Sequence, residues 1–302
     1  MLIVTLPAAE KTDLVEKMLS HPSVGGARYN TGIRTLYSPD EALARVNEIV
    51  KRHEKKLWVD LKGRQLRIAK WADPTYGTIE LNREIELDLP AKIFFRGDHC
   101  SNIVNVKGRK LVVDPDPPQA LGEGQAVNVM AEKWSVVGHY LTEKDEEYIN
   151  AAVKLKIHDY MLSFMENNLD LAEVQDRDPE AKLILKIENR KGLEYLPHYH
   201  PEYGRLLAAR DDLMINIGED KTNMIQALHY IIEKDPEAIV ASHLFSSLAT
   251  GLISMADISD MQLLHTMGYK HFMLGDTISH HRFDDAVKVW GDFWRGNARD
   301  LR

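Results

Sequence analysis

A single cysteine, Cys100, stands in 302 residues, which rules out an internal disulfide and agrees with a reducing compartment. No apolar stretch reaches the roughly 18 residues that a membrane-spanning helix needs. The opening Met1-Leu2-Ile3-Val4-Thr5-Leu6 has neither a basic flank nor a long apolar core, so it reads as a first strand rather than an export leader. These absences predict a cytoplasmic protein. Positive charge is also in short supply, with 38 Lys and Arg against 46 Asp and Glu and a formal net charge of -8. That balance excludes nucleic acid as the main partner, while leaving room for a local basic pocket that takes a small phosphorylated substrate. The chain carries no Gly-rich phosphate loop of either common type, no internal repeat and no low-complexity segment.

What is present is a rhythm of short apolar runs and amphipathic segments. Ile3–Leu6 is followed by a helix that puts Leu14, Val15, Met18 and Leu19 on one face, then by a strand over Val24–Asn30. Leu43, Val46 and Val50 mark a second helix, before the strand Leu57-Trp58-Val59-Asp60. The period then becomes 2, as in Ile85-Glu86-Leu87-Asp88-Leu89, with turn punctuation at Gly97-Asp98, Gly108 and Asp114-Pro115-Asp116-Pro117-Pro118. The βα rhythm resumes at Thr142, an N-cap with Asp145 three residues on. Strands are expected over Tyr160–Phe164, Leu183–Ile187, Leu206–Ala209, Ile239–Ser242 and Phe272–Leu274, with helices near 168–177, 220–234, 259–268 and 283–295. Eight strands with intervening helices predict an α/β fold, a (β/α)8 TIM barrel with a small all-β domain inserted after strand 3. The barrel takes residues 1–75 and 139–302, and the insert takes 76–138.

Lys186-Ile187-Glu188-Asn189 ends one apolar run. Alternation along a strand points Lys186 and Glu188 to one face, giving one pocket wall a cation and a metal-seeking carboxylate. Arg210-Asp211-Asp212 ends the next strand and can bring a second acidic group to the same divalent ion. Four such residues in isolation are better read as a solvated strand end, so the rest of the chain must decide. Among other polar clusters, His198-Tyr199-His200 lies between prolines and reads as an irregular loop, and His280-His281 reads as a solvated turn. Ser242 and His243 are strand neighbours whose side chains should diverge, which disfavours a nucleophile–base couple. Trp290 and Trp294, at i and i+4, read as helix packing. Asn297–Arg302 reads as a frayed end.

These residues occur in an order that resembles the pyruvate kinase family from Ile3 to about Thr277. The correspondences are Ala27-Arg28-Tyr29-Asn30, Asp60-Leu61-Lys62-Gly63-Arg64-Gln65-Leu66-Arg67 against Asp-Thr-Lys-Gly-Pro-Glu-Ile-Arg, and Thr142-Glu143-Lys144-Asp145 against Ser-Glu-Lys-Asp. Ser163-Phe164 and Lys186-Ile187-Glu188-Asn189 match outright. Ala209-Arg210-Asp211-Asp212-Leu213 stands against Ala-Arg-Gly-Asp-Leu, Ala241-Ser242-His243-Leu244-Phe245 against Ala-Thr-Gln-Met-Leu, and Ala256-Asp257-Ile258-Ser259-Asp260 against Ala-Glu-Gly-Ser-Asp.

The resemblance implies catalytic roles for Lys186, Arg28 and Ser242. Lys186 would stabilise the phosphoryl group and the enolate oxygen, Arg28 would grip phosphate, and the Ser242 hydroxyl would contact the substrate carboxylate. Glu188 and Asp212 would ligate Mg2+ or Mn2+, and backbone amides around Asp211 and Asp212 would bind the carboxylate. Of the family's potassium site, Asn30 and Asp60 remain while Gly32 and Leu61 replace hydroxyl donors, so that site is degraded and K+ dependence is not expected. Gln65 removes a further charge there. Ile33 replaces a nucleotide-contacting histidine, and Gly124-Gln125 replace a lysine pair, leaving Arg67 as the nucleotide contact.

Because the chain stops at Arg302, neither a regulatory C-terminal domain nor allosteric control through it is expected. The resemblance implies a magnesium-dependent phosphotransferase acting on phosphoenolpyruvate, pyruvate or a related 2-oxo acid, with ATP or ADP as partner, and a homo-oligomer. A metal-enolate lyase or aldolase resembling the citrate lyase β-subunit group, working without nucleotide, is the second reading. A silent 2-oxo-acid-binding protein is the third.

Overall fold

The computed structural model describes residues 1–73, 75–95 and 99–297. The chain enters through β1 (Leu2–Thr5), α1 (Thr12–Ser20), β2 (Val24–Asn30), α2 (Pro39–Arg52) and β3 (Lys56–Leu61). Seven short strands follow: β4 (Ile79–Glu80), β5 (Ile85–Leu87), β6 (Ala91–Phe94), β7 (Cys100–Lys107), β8 (Lys110–Asp114), β9 (Asn128–Ala131) and β10 (Trp134–Val136). Alternation then resumes with α3 (Glu143–Lys154), β11 (Asp159–Leu162), α4 (Asn168–Arg177), β12 (Lys182–Ile187), α5 (Arg190–Tyr195) and β13 (Arg205–Ala209). The last elements are α6 (Arg210–Asn216), α7 (Asn223–Lys234), β14 (Ile239–Ala241), α8 (Met255–Met267), β15 (His271–Met273), α9 (Asp276–His281) and α10 (Phe283–Asn297). The Gly97-Asp98 turn, and the expected frayed end beyond Asn297, lie outside the described residues.

β1, β2, β3 and β11 to β15 form a closed parallel barrel, in the order β1-β15-β14-β13-β12-β11-β3-β2. All eight strands arise from the apolar runs seen in the sequence, so the α/β barrel stands. Strand parity sorts its side chains. Leu2, Val4, Leu206 and Ala208 face the helices, while Ile3, Leu207 and Ala209 face inward with Trp58, Met161, Ile184, Ile239 and Met273. Gly26 gives the Trp58 ring its space, because a Cβ there would come within 2.4 Å of it.

The same parity fixes the next layer toward the C-terminal ends of the strands. Two residues beyond inward-facing Trp58 comes Asp60, beyond Met161 comes Ser163, and beyond Ile184 come Lys186 and then Glu188. An apolar plug is thus capped by a charged layer at the end where barrel enzymes carry out chemistry.

Capping boxes start three of the outer helices, α2, α3 and α4. Ser38 accepts from Glu41 N–H with Pro39 at the first turn, and Thr142 accepts from Asp145 N–H; each cap is worth about 1 kcal/mol. Asp145 also accepts from the backbone N–H groups of Lys62 at 2.7 Å and Gly63 at 3.0 Å, pinning the exit of β3 to α3. The short helices α5, α6 and α9 carry too few periodic positions to show in the sequence.

Between β3 and α3 lie a five-stranded antiparallel sheet, β4-β8-β7-β6-β9, and a separate β5–β10 pair. Ile79, Leu81, Ile93, Ile103, Leu111 and Val129 form a second core, joined by Leu66 and Ile68 from the segment just after β3. Several hydrogen bonds seat these sheets on the barrel mouth. Asn128 Nδ2 donates to Asp212 Oδ1 at 3.0 Å, Arg34 to Glu123 O at 3.2 Å, Arg67 to Gly124 O at 2.6 Å and Lys191 to Trp134 O at 2.8 Å. No helix among the described residues is long and apolar enough to cross a membrane.

Candidate active site

Asp60, with no solvent exposure, is the hub of the charged layer. Its Oδ2 accepts from Arg28 Nε at 2.8 Å, Arg28 Nη2 at 2.5 Å and Lys62 Nζ at 2.9 Å. Its Oδ1 accepts from Lys186 Nζ and from the Ser163 hydroxyl, both at 3.2 Å. Burial pushes this carboxyl upward, yet the charges of Arg28, Lys186 and Lys62 hold it well below the usual range. Lys62 goes the other way. Burial, reinforced by the neighbouring cations Arg28, Arg67 and Lys186, brings its ammonium down to about 7 despite Asp60.

Lys186 also contacts Ser163 Oγ at 2.8 Å and Glu188 Oε1 at 3.1 Å. Burial lowers its pKa, but Asp60 and Glu188 overcome that and hold it above the usual value, so the ammonium is kept charged. Glu188 takes the Phe164 N–H on Oε2 at 2.6 Å, from a residue whose φ of 51° turns the chain at the end of β11. Burial raises the Glu188 carboxyl to about 7; Lys186 opposes the rise, and the negative charges of Asp212 and Asp60 add to it.

Glu188 and Asp212 are therefore close enough to repel each other, and the Asp212 carboxylate is held by the Asn128 amide from β9. Asn216 Nδ2 bridges Asn128 Oδ1, Glu188 O and Asp212 O. Two carboxylates in mutual repulsion beside backbone and amide oxygens fit a hard divalent cation that takes one or two protein carboxylates and completes its shell with substrate or water. Among the described residues no group of three His, Cys, Asp or Glu side chains converges as a preformed cage. A two-carboxylate site of this kind does not require one.

Arg28 reaches past Asp60, with Nη1 at 3.3 Å from both Thr5 Oγ1 and Asp276 Oδ1. Desolvation opposes its charge, but Asp60 and Asp276 reinforce it, and the side chain is only partly buried.

Asn30 and Asp60 do not form an open cation cradle. Asn30 Oδ1 accepts from Gly32 N–H, and Asp60 is saturated by three cations. The Arg67 guanidinium fills the space a side chain at position 32 would need, with Nη2 2.7 Å from where a Cβ would sit. Arg67 itself is spent on Gln65 Oε1 and Gly124 O. It straps the loop before β9 to the end of β3.

At the end of β14 the structure corrects one expectation. The strand stops at Ala241, and Ser242 and His243 both adopt left-handed backbone, with φ of 68° and 56°. Their side chains therefore do not diverge as strand neighbours would. His243 Nε2 lies 2.6 Å from Asp211 Oδ1; burial pushes that carboxyl upward, but the His243 and Ser242 side chains hold it below its usual range. No Ser242–His243 hydrogen bond forms among the described residues, so no nucleophile–base couple results. Asp211, His243, Arg34, Asn128 and the 122–126 loop line a cleft of about 830 Å³.

His280 and His281 end α9 rather than forming a solvated turn, and His280 is half-buried with Nε2 enclosed and without a hydrogen-bond partner. His198 and His200 sit in two short 3-10 turns, where His200 accepts from Glu202 N–H, away from the charged layer. Trp290 and Trp294 pack edge to face at 5.4 Å.

Lys62, Ser163, Asn128, Asn216 and Asp276 join the site without having been singled out for it by sequence. Lys62 was within reach, since it follows Asp60 by two on the same strand face. The asparagines arrive from β9 and from the end of α6, and nothing local marks them.

Comparison with known proteins agrees with this geometry. The family described as pyruvate kinase, barrel domain, matches residues 102–262, more than half of the chain. Pyruvate kinases of Staphylococcus aureus strains USA300 and MRSA252 are each 25% identical over 254 residues, covering 73% of this chain and 42% of theirs. The chain thus spans less than half the length of these curated relatives. With the barrel, the charged layer and the matched motif order in hand, the chain belongs to the pyruvate kinase barrel-domain family.

Proposed function

We propose that the protein is a magnesium-dependent phosphotransferase of pyruvate kinase type, acting on phosphoenolpyruvate, pyruvate or a related 2-oxo acid. The carrying observation is the buried layer in which one charged lysine, Lys186, touches both Glu188 and Asp60 while Arg28 stands beside it. Such a layer stabilises charge on a reacting oxygen and on a phosphoryl group with fixed dipoles and charges, and little reorganisation is needed as the reaction proceeds.

In this reading Glu188 and Asp212 hold Mg2+ or Mn2+, which when bound supplies Lewis-acid neutralisation of substrate oxygens. Arg28 grips the phosphate, and Lys186 faces the developing enolate oxygen. Ser242 orients the substrate carboxylate. Residues 76–138 act as an inserted lid that excludes water, with residues 1–75 and 139–302 as the barrel. Asp212→Ala is expected to abolish Mn2+ binding measured by water-proton relaxation, and unchanged affinity rejects the ligand assignment. Activity is expected to be the same in sodium and potassium salts, because a guanidinium occupies the space beside Gly32. A strong rise in rate on exchanging sodium for potassium contradicts that.

One observation favours the second reading, a lyase or aldolase that works without nucleotide. Arg67, the nucleotide contact left by the sequence, already spends its donors on Gln65 and Gly124. Calorimetry with Mg2+ and ATP or ADP decides between the two. The phosphotransferase reading expects binding that Arg67→Ala weakens by about 1.5–3 kcal/mol, the scale of a charged hydrogen bond. Absence of binding at millimolar nucleotide transfers the preference to the metal-enolate lyase.

A further inference from the structure

Two departures from the family motifs meet in space. Asp211 stands where the motif has glycine and His243 where it has glutamine, and their side chains pair at 2.6 Å. The left-handed backbone of Ser242 and His243 creates the contact by swinging the imidazole back over the start of α6. Consecutive non-glycine residues in that region carry a conformational cost, and such outliers cluster at working sites. Both side chains remain more than half exposed, at 56% and 57%, and both line the cleft of about 830 Å³. Asn128 lines the same cleft and donates to Asp212 Oδ1, and Asp211 precedes Asp212 in the chain, so the cleft adjoins the acidic pair of the candidate active site.

We propose that His243 is a proton-transfer residue of this site, held by Asp211 as its positioning residue, and that it exchanges the C3 proton of a bound 2-oxo acid. This rests on the 2-oxo acid reading above. Asp211 Oδ1 lies 2.6 Å from Nε2, which favours the ring proton on Nε2 and leaves Nδ1 with its lone pair, and no hydrogen bond among the described residues engages Nδ1. Nδ1 takes a proton from C3, and the C–H pair becomes the C2=C3 bond. The carbonyl π pair moves to oxygen, where the Lys186 ammonium offsets its charge, and the imidazolium is offset by the Asp211 carboxylate. Return of the proton restores the oxo acid, so no oxidant or second reactant is consumed.

The charged groups around His243 are Asp211 and Arg210 on α6, Asp260 on α8, and Arg34 and Glu123 across the cleft. The close contact with Asp211 dominates, raising the imidazole above its ordinary value against partial burial and the charge of Arg210.

The test uses the full chain with Mg2+, with pyruvate as probe. Deuterium incorporation into the pyruvate methyl group is followed by NMR across pH, His243 is titrated by its imidazole resonances, and pyruvate binding is measured by calorimetry. His243→Asn suits the backbone, since asparagine populates the left-handed region. It is expected to keep pyruvate affinity while lowering exchange by about 10²-fold and erasing the pH limb of the rate. Asp211→Asn is expected to shift both that limb and the imidazole titration to lower pH, because the cationic ring loses its partner. Pyruvate bound with exchange unaltered in His243→Asn overturns the proposal alone. An unmoved titration in Asp211→Asn overturns the positioning role. Failure of wild type to bind pyruvate overturns the 2-oxo acid reading, and the proposal with it.

Discussion

Replacing Asp60 by asparagine is expected to destabilise the folded protein by about 3–5 kcal/mol, the range for removing one partner from a buried ionic cluster. The isostere preserves volume but leaves Arg28, Lys62 and Lys186 close together without the carboxylate they share. Urea unfolding of the two proteins near neutral pH measures the difference, and a midpoint shift within error rejects the hub role. The sign with pH follows from the depressed folded-state pKa of Asp60. Its contribution is present above the unfolded pKa of about 3.9 and is lost as pH falls through the lower folded value, so the two proteins converge in strong acid. Adding Arg28→Met to the asparagine variant should cost less than the sum of the two single changes, since the second change removes a cation that had lost its partner.

Lys186→Met is expected to lower turnover at least about 10³-fold, or about 4 kcal/mol of transition-state stabilisation. The ammonium contacts Asp60, Ser163 and Glu188 together, and the methionine side chain fills its volume without its charge. Stability should fall less than in the Asp60 variant. Asp60 retains Arg28 and Lys62, and Glu188, already raised to about 7, responds to the loss of its cation by taking up a proton more readily. Assay of phosphoryl exchange between pyruvate and ATP, alongside circular dichroism to check the fold, tests the role. Turnover within tenfold of wild type in a folded variant rejects it.

The sequence by itself determined what depends on local period. Short apolar runs set the eight barrel strands, and strand parity put Lys186 and Glu188 on one wall two and four residues beyond the apolar plug residue Ile184. Capping chemistry fixed the start of α3 through Thr142. Tertiary structure decided the pairings, because closing the barrel joins residues with no local relation. Lys186 finds Asp60 across 126 positions, and Asp212 receives the Asn128 amide across 84.

Backbone conformation at strand ends was equally hidden. Adjacent residues point apart only while the strand continues, and Ser242 and His243 leave it for left-handed geometry that brings both to Asp211. His280 shows the same limit, because an adjacent pair of histidines reads as solvated until a six-residue helix packs one ring inward. Periodicity is written along the chain and survives without the fold. Partnership between charges exists only once the strands have closed around them.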